Sequence, residues 1–348
     1  MPKCPKCGKR FQTSSALNDH YAAVHPNERF VAPKTSSSRT LMVSLVIVIL
    51  VVGSIVGVLI YLQSNSGKTP DNSALNSILN APINSSLFAQ LTGVSSSTLA
   101  SIGSGSAIVG NSVGALQSVS GQPLVSGGKP EILYVGADYC PHCASERWAI
   151  VVALSRFGNF SNLSYMLSAP TDGNLSTLTF HGSSYFSNYI SFVSVETTER
   201  NPNVRLETMT QDQQSLFSQY NSQGYIPFID IYNKYVTVGS QFPNDESLLS
   251  GLSWSRIGSQ LNNPSSNIAK AIDGSANILI SAICKIDGQQ PSNVCGQSFA
   301  KLSAVLSVSP STIPQSSSLT CPIVTPLVYF QASSAYFRRT AILRVAEY

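Results

Sequence analysis

Residues 1–40 are polar and basic; the chain then turns apolar without interruption from Leu41 to Leu62, LMVSLVIVILVVGSIVGVLIYL. The run holds no charge and no proline. At about 1.5 Å of rise per residue it forms a helix of roughly 30 Å, the thickness of a bilayer core. The pattern predicts a transmembrane helix over 41–62. A cleaved secretory signal would be shorter, lie nearer the start and end in small residues. Residues 63–128 are rich in Ser, Asn and Gly with short apolar stretches such as Leu87–Leu91, and read as a tether with room for a short helix or two. From Glu131 to about Leu261 the pattern is ordered α/β. Ile132–Gly136 reads as a buried strand, and Trp148, Ile150, Val151, Val152 and Leu154 form an apolar helix face. Alternating stretches follow at Leu175–Phe180 and Tyr189–Val195, then a helix at Gln211–Tyr220. Gly224–Ile231 reads as a loop entering a strand, Tyr235–Val238 as its antiparallel partner, and Glu246–Leu261 as a helix. Residues 264–306 are helical in pattern, broken by a loop at Gly288–Asn293. The tail, 307–348, carries no predicted element.

Charge orients this plan. Lys3, Lys6, Lys9, Arg10, Arg29, Lys34 and Arg39 precede the apolar run, and only Lys68 lies close behind it. The positive-inside rule places the N-terminus in the cytoplasm and all residues after Leu62 outside the cell membrane. Gly53 and Gly57 form GxxxG, a spacing that lets two such helices approach and pair as a homodimer. Charged residues are 11% of the chain, against about 25% in an average soluble domain. The net charge of +4 is too small for the whole chain to bind nucleic acid by electrostatics.

The seven cysteines change the picture most. Cys4 and Cys7 stand two residues apart, and His20 and His25 follow with four between them. Phe11 and Leu17 occupy apolar positions in between. This spacing resembles the Cys2His2 zinc finger, which implies a ββα unit over 1–30 and a structural Zn2+ held by Cys4, Cys7, His20 and His25. A unit so small buries too little apolar surface to fold alone, so the metal supplies the stability. Ser14, Leu17 and His20 would face bases in a DNA-binding finger. One finger, without arginines at those positions, is at least as well suited to an unidentified cytoplasmic protein partner.

The second pair lies in KPEILYVGADYCPHCASERWAIVVALSRF. Cys140 follows a strand and a short turn, and Pro141 suits the first turn of a helix. A helix N-terminus stabilises a thiolate on Cys140. Cys143, one turn on, can close a disulfide with it, and His142 can add a positive charge nearby. That arrangement makes the disulfide more oxidising. The segment resembles the thioredoxin superfamily, and its CPHC sequence is that of DsbA-type disulfide oxidases. The resemblance implies a cis-proline loop opposite the cysteines, for which Pro227 is placed, with Ile226 free to pair with a bound peptide strand. It also implies a thioredoxin-like α/β domain over 129–306, from which this chain departs by a large insert between Cys143 and Pro227. The arrangement from about 40 to 305 is similar to an archaeal family of membrane-anchored thioredoxin-fold proteins of unassigned function.

The expected activity is thiol–disulfide exchange on exported protein thiols or disulfides, with Cys140 as nucleophile, Cys143 as resolving thiol, and His142 and Pro227 in support. The alternative is a transmembrane redox or ligand sensor or adaptor whose thioredoxin-like domain only binds. A zinc half-site and a static disulfide are further readings of the CPHC motif. Cys284 and Cys295 are expected to form a structural disulfide, with a second redox pair as the alternative. Cys321 is left over, either free or available to cross-link chains.

Overall fold

A computed structural model describes residues 1–27, 77–243, 245–296, 306 and 313–323. The chain divides into two compact units, Met1–Asn72 and Ser73–Tyr348. Among the described residues no helix is long and apolar enough to cross a membrane. The expected transmembrane helix over 41–62, with Gly53 and Gly57, lies outside them.

In the first unit α1 spans Ser14–Val24, capped by the Thr13 hydroxyl, which accepts from the Ala16 N–H at 3.1 Å. A single antiparallel bridge, Lys3 to Arg10, stands where two strands were expected. Gly8 turns the chain at φ 74°, a conformation that favours glycine. Leu17 and Tyr21, one helical turn apart, bury against Cys4 and Phe11.

The second unit begins earlier than its strand pattern suggests. The segment read as a tether folds from residue 77 onward: α2 (Ser85–Thr92) and α3 (Ser96–Ile102) are each capped by a side chain, Asn84 and Ser95. Leu87, Leu91 and Leu99 reach the core. Two short strands follow, β1 (Gln117–Ser118) and β2 (Val125–Ser126), then β3 (Lys129–Gly136) and α4 (Pro141–Leu154). Next come β4 (Gly158–Ser161), β5 (Ser164–Leu167), β6 (Ser176–Thr179), β7 (Ser184–Ser187) and β8 (Ser191–Glu196). After them lie α5 (Gln211–Tyr220), β9 (Tyr225–Ile226), β10 (Phe228–Ile231) and β11 (Tyr235–Val238). The expected helix near 246–261 is split into α6 (Asp245–Leu249) and α7 (Trp254–Gly258), and α8 runs from Asn267 to Ile286. The final described element is β12, Cys321–Pro322.

The main sheet centres on β3, with β10 antiparallel on one side and β8 parallel on the other. β11 and then β1 continue past β10, and β2 pairs with the start of β3. The pleat sends alternate residues to opposite faces. Ile132 and Tyr134 join a core with α4 and α8, while Leu133 and Val135 join Phe228, Val236 and Phe217 of α5 on the other face. The architecture is a mixed α/β sheet covered on both faces. The insert builds two antiparallel pairs, β4 with β7 and β5 with β6. The Tyr189–Val195 stretch, read as part of the insert, supplies β8 of the main sheet.

Candidate functional site: a three-cysteine cluster and a metal-ligand cluster

Cys140 is the N-cap of α4, in extended conformation at φ −76° and ψ 123°, with Pro141 at the first helical position. The Cys143 N–H points at the Cys140 sulfur, N to Sγ 3.4 Å. Every one of the 14 residues of α4 is buried, His142 included. The Ile226–Pro227 peptide bond is cis, and the Cys140 sulfur lies 4.0 Å from the Ile226 carbonyl oxygen. Thus Cys140, Cys143, His142 and Pro227, chosen from sequence, come together where α4 begins.

The pairing differs from the expected one. Cys140 is bonded not to Cys143 but to Cys321, 181 residues away, and Cys143 is a free, buried thiol. Cys321 is therefore neither free nor bonded to another chain. The residues around it add a strand to the site: β12 pairs antiparallel with β9, Cys321 opposite Ile226 and Pro322 opposite Tyr225. The Tyr139 hydroxyl donates to the Pro322 carbonyl. Cys284 and Cys295 form the second disulfide, as expected, closing the loop after α8.

Behind Cys143 lies a buried ionic group that sequence reading did not single out. Arg147, one turn further along α4, donates from Nε and Nη2 to the two Glu196 oxygens at 2.8 and 2.7 Å. Its Nη2 also stands 3.4 Å from Asp138 Oδ1. The guanidinium lies 6.0 Å from the centre of the Tyr134 ring. The Tyr134 ring folds over Gly136, where an added Cβ would fall 2.1 Å from the tyrosine oxygen, so any larger residue there would push the buried ring aside. Burial, together with the Glu196 charge and against the pull of Arg147, holds the Asp138 carboxyl at about 7. Burial likewise pushes the Cys143 thiol up to about 12, with Arg147 lowering it and Glu196 raising it. The signal was present in the motif: a Glu-Arg pair in an otherwise apolar helix must be buried with partners once the helix is buried on all sides. Asp138 also lines an open cleft of about 1080 Å3 that includes Met166, His181 and Arg200.

In the first unit the ligand atoms of Cys4, Cys7, His20 and His25 all lie within 4.8 Å of one another. Cys7 Sγ stands 3.1 Å from His20 Nε2, and Cys4 Sγ 3.8 Å from His25 Nε2. Two sulfurs and two imidazole nitrogens at such separations can hold a metal ion, and they leave no protein ligand position open. All four are those predicted. Tyr21, buried beside them, was not, although it sits four residues after Leu17.

These features define a mixed α/β domain with three cysteines meeting at a helix start, preceded by a small metal-ligand cluster. Residues 115–285 match the model of a domain of unknown function (DUF929). That match takes in Cys140, Cys143, Arg147, Glu196 and Pro227, and stops before Cys295 and Cys321. No curated protein and no solved structure matches the chain.

Proposed function

We propose that the chain is a membrane-anchored thiol–disulfide oxidoreductase on a thioredoxin-like domain, acting on thiols or disulfides of exported proteins. The anchor in this reading is the apolar run 41–62, with the finger in the cytoplasm. The observation that carries the activity is the placing of Cys140 at a helix start, beside Cys143 and against the Ile226–Pro227 loop, with its sulfur already in a disulfide alongside that loop. A thiolate from a substrate attacks Sγ of Cys140 in a disulfide with Cys143; the new S–S bond forms as the old one breaks, and Cys143 leaves and takes a proton. A second substrate thiolate then attacks the substrate sulfur and releases Cys140. Two substrate thiols are oxidised and the cysteine pair is reduced. In reverse, reduced Cys140 attacks a substrate disulfide and Cys143 resolves it.

In the finger, the soft two-sulfur, two-nitrogen donor set and its closed geometry suit Zn2+, held by Cys4, Cys7, His20 and His25 in a structural role. A sensor or adaptor is the second reading, favoured by the burial of all three sulfurs at the thiol site. The full chain in detergent separates the two in insulin-reduction and peptide-oxidation assays. The enzyme reading expects Cys140→Ser to abolish exchange and Cys143→Ser to accumulate mixed disulfides. Absence of exchange by the wild type in both directions selects the sensor.

A further inference from the structure

The last described segment, 313–323, makes a series of specific contacts. Gln315 donates from Nε2 to the Tyr220 carbonyl at 2.9 Å and accepts from the Gln223 N–H at 3.3 Å. The Leu319 carbonyl accepts from the Ser240 N–H at 2.9 Å. Gly239 leaves the room: a Cβ there would fall 2.9 Å from the Leu319 carbonyl oxygen and 3.0 Å from the Thr320 side chain. Cys321 and Pro322 then run antiparallel to Tyr225–Ile226, and the Ile323 N–H donates to the Gly224 carbonyl at 2.9 Å. Ile323 reaches a cleft of about 320 Å3 shared with Met209 and Phe217.

Two facts stand out. Among the described residues, β12 is the only strand partner of β9. A short strand edge next to a reactive sulfur is the place where an extended partner adds by main-chain pairing. Here the chain's own segment holds that place, and the cysteine it brings is bonded to Cys140.

Resting on the exchange reading above, we propose that Cys321 is a third redox cysteine, carried on a built-in substrate strand that occupies the groove and is released when Cys143 replaces it on Cys140. The Cys143 thiolate attacks Sγ of Cys140. The Cys140–Cys143 bond forms, the Cys140–Cys321 bond breaks, and the Cys321 thiolate takes up the proton that Cys143 gave up. The step is an isomerisation with no change in oxidation state and needs no outside oxidant. It frees Tyr225–Ile226 to pair with another chain. The occupying sequence, Thr320-Cys321-Pro322-Ile323, also serves as a template for that chain: an extended stretch with a cysteine and an apolar residue two positions on, seated beside Met209 and Phe217.

The tether sets the size of the effect. A thiol on the same chain competes at an effective concentration on the order of mM, so a free peptide at ~10 µM is outcompeted by ~100-fold. The experiment uses the full chain in detergent and a fluorescent TCPI peptide. Disulfide mapping of the wild type is expected to find both Cys140–Cys321 and Cys140–Cys143 linkages, their ratio shifting on exchange. Cys321→Ser, and separately Cys321→Ala, are expected to capture the peptide on Cys140 about 100-fold faster than wild type, and a TCPD peptide more slowly. A wild type with no Cys140–Cys321 linkage, or equal capture rates, overturns the proposal; if Cys321→Ser still exchanges through Cys140 and Cys143, the enzyme reading survives that loss. A Cys140–Cys321 linkage that never transfers to Cys143, with Cys321→Ser inert toward peptide and insulin, overturns both.

Discussion

The Cys143 thiol offers the sharpest quantitative prediction. Burial holds it at about 12, against about 8.5 for an ordinary cysteine. At pH 7 the thiolate fraction is then lower by roughly 3000-fold. A more basic thiolate is a better nucleophile, with a Brønsted slope of about 0.45, which restores roughly 40-fold. The net result at pH 7 is an internal attack on Cys140 about 80-fold slower than an ordinary thiol in the same geometry would give. The distinguishing feature is the pH dependence. Thiolate at this site keeps rising about tenfold per pH unit from 7 to 10, whereas an ordinary thiol levels off above about 8.5. The rate can be read by incubating the full chain in excess maleimide, which traps each Cys321 released, and following labelled Cys321 by mass spectrometry. The wild type is expected to label with that unbroken rise, and Cys143→Ser not at all. A plateau near pH 8.5, or labelling unchanged by Cys143→Ser, refutes the reasoning.

Two further predictions address stability. Asp273 in α8 is fully buried, and among the described residues neither carboxyl oxygen has a hydrogen-bond partner. Burial raises its folded value to about 8, above an unfolded value of about 3.9. A raised folded value means stability is full below about pH 4 and is lost as pH rises toward 8, by about 1.4 kcal/mol per unit and ~4 kcal/mol by pH 7. Asp273→Asn removes that slope, so urea denaturation followed by tryptophan fluorescence should show the variant gaining on wild type steadily between pH 4 and 7; a constant difference counts against it. In the finger, EDTA treatment or Cys7→Ser should abolish the fold of residues 1–27, read as loss of the NMR signals of Leu17 and Tyr21; in the wild type alone Zn2+ should restore those signals and Co2+ should give a tetrahedral absorption band. Retention of those signals in EDTA sinks the metal assignment.

Much of this was legible in the chain because the signals were local. Pro141 after Cys140 marks a helix start, helix spacing joins Cys143 to it, and Gln211–Tyr220 forms the predicted helix within its predicted bounds. The metal ligands were legible because four residues at fixed spacing leave little freedom. What escaped was either weakly patterned or long in range. α2 and α3 are serine-rich and short, so composition allowed a short helix or two there but gave neither their bounds nor the place of Leu87, Leu91 and Leu99 in the core. Cys321 pairs across 181 residues through a strand of two residues, and no periodicity announces so short a strand. The Arg147–Glu196 pair needed the knowledge that α4 has no exposed face, which comes from β6, α2 and α8 closing around it.

That enclosure has an electrical consequence. Mobile ions weaken the field of a helix end that stands in solution. α4 has no residue in solution, so the peptide dipoles beneath the Cys140 sulfur act through protein alone. Their field at that position is set by the fold of the chain and only weakly by the salt of the surrounding medium.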